Sequence, residues 1–198
     1  MLTGKYHIIV LLIVPVLFVL ISFPMNDWFS ETMPRHQLLQ LPAMILLGLI
    51  TGASFRKLSI RDTFGGIAIL IFISTSLIFW MLPHSIDYAV INKPFNRLMH
   101  FNMFIAGFLL MPVLRNILFE VKIIFLGMTS AMILAAGITL KSFDILLCSS
   151  FTILQQNETG FYLIIAGLAF FAITLFVFFK GITVQKNTTS GSGPKAAS

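Results

Sequence analysis

The chain has 198 residues, of which 58% are hydrophobic and only 10% are charged, and its mean hydropathy is +0.97. A soluble domain carries about 25% charged residues, so this composition excludes a chain built mainly of soluble domains. The formal net charge of +6 is not gathered in a basic block, so we predict no nucleic-acid binding. Basic residues in short loops instead anchor a membrane protein at its cytoplasmic face.

Apolar runs recur along the chain, and several approach or exceed the roughly 20 residues that a helix needs to cross a bilayer core. They are apolar throughout, whereas the strands of a membrane barrel alternate apolar and polar residues. The sequence therefore predicts an all-α fold, a polytopic membrane helical bundle of about six transmembrane helices. The predicted spans are Tyr6–Phe23, Gln37–Ser54, Thr63–Leu82, Arg97–Ile117, Val121–Leu140 and Phe161–Gly181.

Two regions follow from this pattern: a transmembrane helical bundle at residues 1–181 and a polar, disordered cytoplasmic tail at residues 182–198. The first span has no small-residue cleavage site after it, so we predict that it is not a signal peptide. With the N-terminus inside, the inner segments hold nine Lys and Arg residues and the outer segments hold four. This bias predicts that both termini are cytoplasmic.

This orientation places three of the four histidines at the outer face. His36 begins the second span and shares a helical face with Gln40, while Met33 lies one turn earlier. Imidazole and thioether groups both bind Cu(I) well. The alternative interpretation is a polar turn at the start of a helix.

A second polar segment follows the third span. Pro83 is expected either to end the third span or to begin a short interfacial helix, in which His84 would lie one turn from Asp87 or Tyr88. A carboxylate in that position can orient an imidazole that binds a metal, and an outer helix held by a local hydrogen bond explains the segment equally well.

The third polar segment opens the fourth span, where His100 lies between Met99 and Met103. A polar group inside the membrane is costly unless it is satisfied, which makes it a functional candidate. It can equally form a hydrogen bond to a neighbouring helix. The candidate metal ligands are His36, His100, His84, Met81 and Met99.

Together these segments resemble the CtaG family of cytochrome oxidase assembly proteins, which is linked to copper insertion in caa-type oxidases. The similar stretches, in order, are His36-Gln37-Leu38-Leu39, Trp80-Met81-Leu82-Pro83 with Asp87-Tyr88, Met99-His100 with Phe104 and Gly107, and Gln155-Gln156 with Gly160. Their order and approximate spacing hold from about residue 33 to residue 170.

The chain departs from the family pattern at several positions. Thr32 and Met81 stand where the family has His, Met99 replaces a Glu, and Gln155 replaces an Asp. The family commonly has seven spans, one more than we predict here. Loss of His and carboxylate ligands disfavours a hard metal ion, whereas the two methionines favour Cu(I).

The resemblance implies a protein that is not an enzyme and that assists copper loading or assembly of a respiratory or related membrane enzyme. It implies a Cu(I) site at the outer face, a membrane oxidase or other copper enzyme as partner, and the plasma membrane of a bacterium or archaeon. Two alternatives remain: a non-catalytic accessory subunit of a larger membrane complex, and a haem protein ligated by His36 and His100.

Overall fold

The computed structural model describes residues 4–55, 58, 60, 62–142 and 146–190, and this part of the chain is helical without strands. The predicted all-α fold is thus confirmed. The helices are α1 (Gly4–Ser22), α2 (Asn26–Ser30), a π-helical turn (Arg35–Gln40) that continues into α3 (Leu41–Ser54), α4 (Thr63–Met81), α5 (Pro83–Ile91), α6 (Lys93–Asn116), α7 (Phe119–Ser142) and α8 (Ile153–Ser190).

Five helices in the described part of the chain are long and apolar enough to cross a membrane, which supports an integral membrane protein. They correspond to the second to sixth predicted spans. The first predicted span forms α1, whose apolar segment His7–Ser22 is shorter than the other five. Short helices α2 and α5 lie between the long ones, and α5 begins at Pro83, which agrees with one of the two roles expected for this proline.

The last helix differs from its predicted bounds at both ends. It begins at Ile153, well before the predicted Phe161, and continues to Ser190. Residues 182–190, assigned to a disordered tail from their composition, are therefore helical, because extending an existing helix is much easier than nucleating one. The remaining tail, 191–198, lies outside the described residues.

The centre of the bundle is the contact between α3 and α6, which glycines bring close together. A Cβ atom added to Gly48 would lie 2.1 Å from the carbonyl oxygen of Phe104, and one added to Gly107 would lie 2.1 Å from that of Ile45. Small residues at such crossings allow backbones to approach closely in membranes. The backbones of α3 and α6 are thus in direct contact just below the candidate site.

A second helix pair is formed by α7 and α8. Gly137 and Gly160 face each other, and a Cβ on either would come within 2.8 Å of the other residue's carbonyl oxygen. The hydroxyl of Ser130 donates to the carbonyl of Gly167 at 3.0 Å. This pair joins the rest of the bundle mainly through α4 and the π-helical turn.

Helix termini on α4 and α6 have local caps. Asp62 accepts a hydrogen bond from the backbone N–H of Gly65 at 2.8 Å, and Asn92 accepts one from that of Phe95 at 3.0 Å. At its other end, α6 carries Arg115, whose guanidinium donates to the carbonyl of Ala53 at 2.9 Å. These caps satisfy backbone groups that a helix end leaves free.

The helix order divides the loops between two ends of the bundle. One end, which we call the α5 end, carries α2, α5 and residues 146–152. At the opposite end the rings of His7 and Phe55 are in contact, with centroids 5.3 Å apart, and Phe119 lies against Gly181. Both termini of the described chain therefore lie on the same side, opposite the α5 end.

Candidate functional site

The π-helical turn positions His36 and Gln40 inside the bundle near the α5 end. The N–H of Leu41 donates to the carbonyl of His36, five residues earlier, which defines the wider turn. Such turns are rare and frequently lie at functional sites. Both side chains are fully buried, and Nδ1 of His36 lies 2.6 Å from Oε1 of Gln40.

The contacts of Gln40 fix the state of the imidazole. Its Nε2 donates to the carbonyl of Ile21 at 3.4 Å and to Oδ1 of Asn26 at 3.2 Å, so Oε1 must be the atom facing His36. Because an amide oxygen only accepts hydrogen bonds, Nδ1 of His36 carries the proton. The lone pair of a neutral His36 therefore lies on Nε2.

A buried asparagine completes this polar network. Oδ1 of Asn26 accepts hydrogen bonds from Gln40 and from Nδ2 of Asn96, the latter at 2.7 Å. Asn96 lies on α6, one turn before His100. The network thus joins α2, the π-helical turn and α6 around the two histidines.

His100 lies fully buried on α6 and faces the same region. Among the described residues, neither of its ring nitrogens has a hydrogen-bond partner, and Nε2 of His36 has none either. Asn96, one turn earlier on α6, is bonded to Asn26, which also accepts from Gln40, so the side of α6 that carries His100 faces the turn that carries His36. The complete burial of both histidines places their side chains inside the bundle. Three buried, unpaired ring nitrogens require an explanation, since such groups in folded proteins normally bind a protein group, water or an ion.

Several methionines near His36 and His100 in sequence are also buried. Met44, Met99 and Met103 belong to one buried cluster of α3 and α6, and Met33 is also fully buried. Met81 is half-buried and packs against a second cluster, which contains Met33. Among the described residues, no group of three or more His, Cys, Asp or Glu side chains can hold a metal. The available donor set is therefore the two imidazoles with thioethers.

The predicted partnership of His84 with Asp87 is not formed. His84 is exposed on α5, and no hydrogen bond joins it to Asp87 in the described structure. The carboxylate instead accepts from the hydroxyl of Ser149 at 3.0 Å and from the backbone N–H of Ser150 at 3.0 Å. The sequence separation of more than 60 residues hid this contact, because only the tertiary fold brings α5 beside the segment before α8.

Cys148 directly precedes Ser149 and Ser150, which bind Asp87, and its thiol is expected to resist alkylation. Burial, with a smaller contribution from the charge of Asp87, raises the pKa of Cys148 from 9.0 to about 12. The thiolate is the reactive form, so the raised pKa lowers its fraction near pH 8 by about a thousandfold. We predict slow maleimide labelling of the wild type and at least tenfold faster labelling of Asp87→Ala, measured by intact mass.

The control for that measurement is Asp27→Ala, which removes an exposed carboxylate from the same end of the bundle. Equal labelling rates in all three proteins would mean that Asp87 does not hold the segment over Cys148.

Three further polar residues are buried at the α5 end. Gln156 belongs to the segment that resembles the CtaG family, and its amide binds the backbone of Leu147 and Cys148. Asn26 and Asn96 were missed. The position of Asn96, one turn before His100, was a usable signal, whereas nothing near Asn26 indicated that it is buried.

Comparison of the chain with protein-family models, with curated proteins and with solved structures finds no match. The resemblance to the CtaG family therefore depends on the ordered segments quoted above.

Proposed function

We propose that this protein holds and passes on Cu(I) between His36 and His100, and so assists the assembly of a copper-containing membrane enzyme. The observation that carries the proposal is the set of three buried ring nitrogens, Nε2 of His36 and both of His100, that have no partner among the described residues. They come from α6 and from the π-helical turn that continues into α3, two helices whose backbones touch, and the proposal places the ion between them.

The chemistry of the surroundings supports Cu(I) over other metals. Gln40 fixes the proton of His36 on Nδ1 and directs Nε2 as the donor, which is the role of an outer-shell partner at a metal site. Thioethers are soft ligands that select Cu(I), and Met99 flanks His100 on α6. All of these donors are neutral, so a monovalent cation brings less uncompensated charge into the membrane than a divalent one.

The loop charges support an orientation for the site. The segments at the α5 end contain fewer Lys and Arg residues than those at the opposite end, as the positive-inside rule predicts for an outer face. In this orientation the histidines would receive or release copper on the outer side, with both termini in the cytoplasm.

The haem alternative has less structural support. His36 and His100 are both fully buried by the protein itself, so a haem between them would require α3 and α6 to separate. That separation would break the contacts of Gly48 and Gly107. A Soret band in the purified protein would restore this alternative.

The accessory-subunit alternative is favoured by one observation. In the apolar stretches that could cross the membrane, only 22% of the residues of α7 and 17% of those of α8 are buried. The corresponding fraction is 39% in α6 and in the helix formed by the π-helical turn and α3. These two helices therefore leave a large apolar surface for lipid or a partner. A stable, stoichiometric partner after mild detergent extraction would support this role, and transient association would support an assembly factor.

Copper binding tests the main proposal directly. The protein is purified in mild detergent under reducing conditions and titrated with Cu(I) against a chromophoric competitor. We expect about one copper ion per chain for the wild type, given one pair of orphaned imidazoles, and background copper for His36→Ala/His100→Ala. The matched control, His7→Ala/His84→Ala, removes two histidines outside the pair and is expected to bind like the wild type. Unchanged stoichiometry in the His36/His100 variant would contradict the ligand assignment.

A further inference from the structure

The α5 end contains a polar cavity of about 90 Å³ between the end of α1 and the start of α6. Its polar lining consists of Ser22, Asn26, Asp27, Lys93, Asn96 and Arg97. Three of these residues, Ser22, Asn26 and Asn96, are more than nine-tenths buried, and within the described part of the chain the Oγ of Ser22 and the Oδ1 of Asn96 have no hydrogen-bond partner. Both atoms are closed off from the cavity surface, so the polar groups that the cavity presents to a ligand are the exposed side chains of Asp27, Lys93 and Arg97.

A second cavity, an apolar crevice of about 270 Å³, lies farther along α1 and α6, away from the α5 end, and also touches α3. Its lining includes Val14, Phe18, Val19, Thr51, Phe101 and Phe104. Thr51 uses its hydroxyl to donate to the carbonyl of Leu47 at 2.8 Å, so this residue adds no free polar group. The crevice is suited to a hydrocarbon chain.

The two cavities follow one another along α1 and α6. Phe23 and Arg97 border the polar cavity, and Val19 and Phe101, each one helical turn deeper, border the crevice. The guanidinium of Arg97 lies 4.7 Å from the ring centre of Phe23, at the boundary between them. Polar groups at the membrane surface thus stand directly above an apolar crevice, which is the arrangement of a phospholipid.

We infer that α1 and α6 bind one anionic phospholipid, with its phosphate at Lys93 and Arg97 and an acyl chain in the crevice. The charge of the cavity favours an anionic headgroup, because its two cations outnumber the single carboxylate, Asp27, which lies 3.6 Å from Lys93. Basic side chains near a membrane surface attract anionic lipid in this way.

Native mass spectrometry of the delipidated protein, titrated with long-chain phosphatidylglycerol or phosphatidylcholine, tests the headgroup site. We expect the wild type to bind phosphatidylglycerol more tightly than phosphatidylcholine. In Lys93→Gln/Arg97→Gln the ratio of the two affinities should fall by about 30-fold, about fivefold for each charge removed. The variant Asp27→Asn changes the cavity charge in the opposite direction and should strengthen binding by about fivefold. Lys122→Gln/Lys141→Gln makes the same charge change as the double variant on α7 and is expected to leave binding unchanged.

The crevice is tested separately with Val19→Trp, which fills it from the exposed side of α1. We expect this variant to release the long-chain lipid, while Ile173→Trp, an equally exposed change on α8, retains it. Equal loss of lipid in the α1/α6 and the α7 or α8 variants, or equal binding of the two lipids by the wild type, would identify a non-specific lipid annulus and overturn the inference. Copper binding plays no part in these measurements, so they succeed or fail independently of the proposed function.

Discussion

Replacing Gly107 by Val is expected to lower the apparent melting temperature by about 15 °C or to prevent the protein from accumulating. The added Cβ would lie 2.1 Å from the carbonyl oxygen of Ile45, and backbone cannot move aside as a flexible side chain can. The helices α3 and α6 must therefore separate, which loses packing along the centre of the bundle. A cost of about 4 kcal/mol, at the upper end for overpacking, corresponds to a shift of this size in a chain of this length.

Thermal unfolding in mild detergent, followed by fluorescence-detected size-exclusion chromatography, measures this effect. Gly127→Val is the matched control, because a Cβ at Gly127 would meet nothing within 4 Å. We expect a change of less than about 3 °C for this variant. Equal melting temperatures for Gly107→Val and the wild type would mean that α3 and α6 lie farther apart than described.

The second large effect is expected from Asn26→Leu, which should lower the apparent melting temperature by about 10 °C. The substitution removes the oxygen that accepts hydrogen bonds from Gln40 and Asn96. Two buried amides then lose a partner, and an unsatisfied buried polar group costs roughly 1–3 kcal/mol. A combined cost of about 3 kcal/mol gives the expected shift.

The same variant is expected to weaken Cu(I) binding, since Gln40 is no longer held against His36. Asn157→Leu is the control, because Oδ1 of Asn157 has no hydrogen-bond partner in the part of the chain that the structure describes, and we expect little change in stability or copper affinity. Equal shifts in melting temperature for Asn26→Leu and Asn157→Leu would show that the hydrogen bonds of Asn26 stabilise the protein no more than the side chain of Asn157 does.

Much of the fold was predictable because lipid imposes strong constraints on sequence. Apolar length alone located α4, and the predicted and observed starts agree at Thr63. The ends of α8 were harder to place, because Ile153 follows a polar segment and the helix continues into polar residues after Gly181. Composition separates lipid-facing from aqueous residues, but it does not show where a helix already formed stops propagating.

The candidate site was predictable in part for a related reason. His100 was identified because an ionisable group in an apolar span is unusual and costly. His36 was identified because it shares a helical face with Gln40, one turn after Met33. The partner of Asp87 was not predictable, since its contacts with Ser149 and Ser150 depend on how α5 packs beside the segment before α8. The role of Asn26 depends in the same way on three separate elements meeting.

The π-helical turn makes the site depend on the number of residues in the chain as well as on their identity. Its wider ring contains one residue more than an α-helical turn, as the bond from Leu41 to His36 shows. A chain one residue shorter within Arg35–Gln40 would close as a regular α-helix, and the preceding residues would rotate by about 100° about the helix axis. His36 would then leave the interior surface that faces His100. Loss of one codon could thus separate the two imidazoles while every residue of the pair remained present.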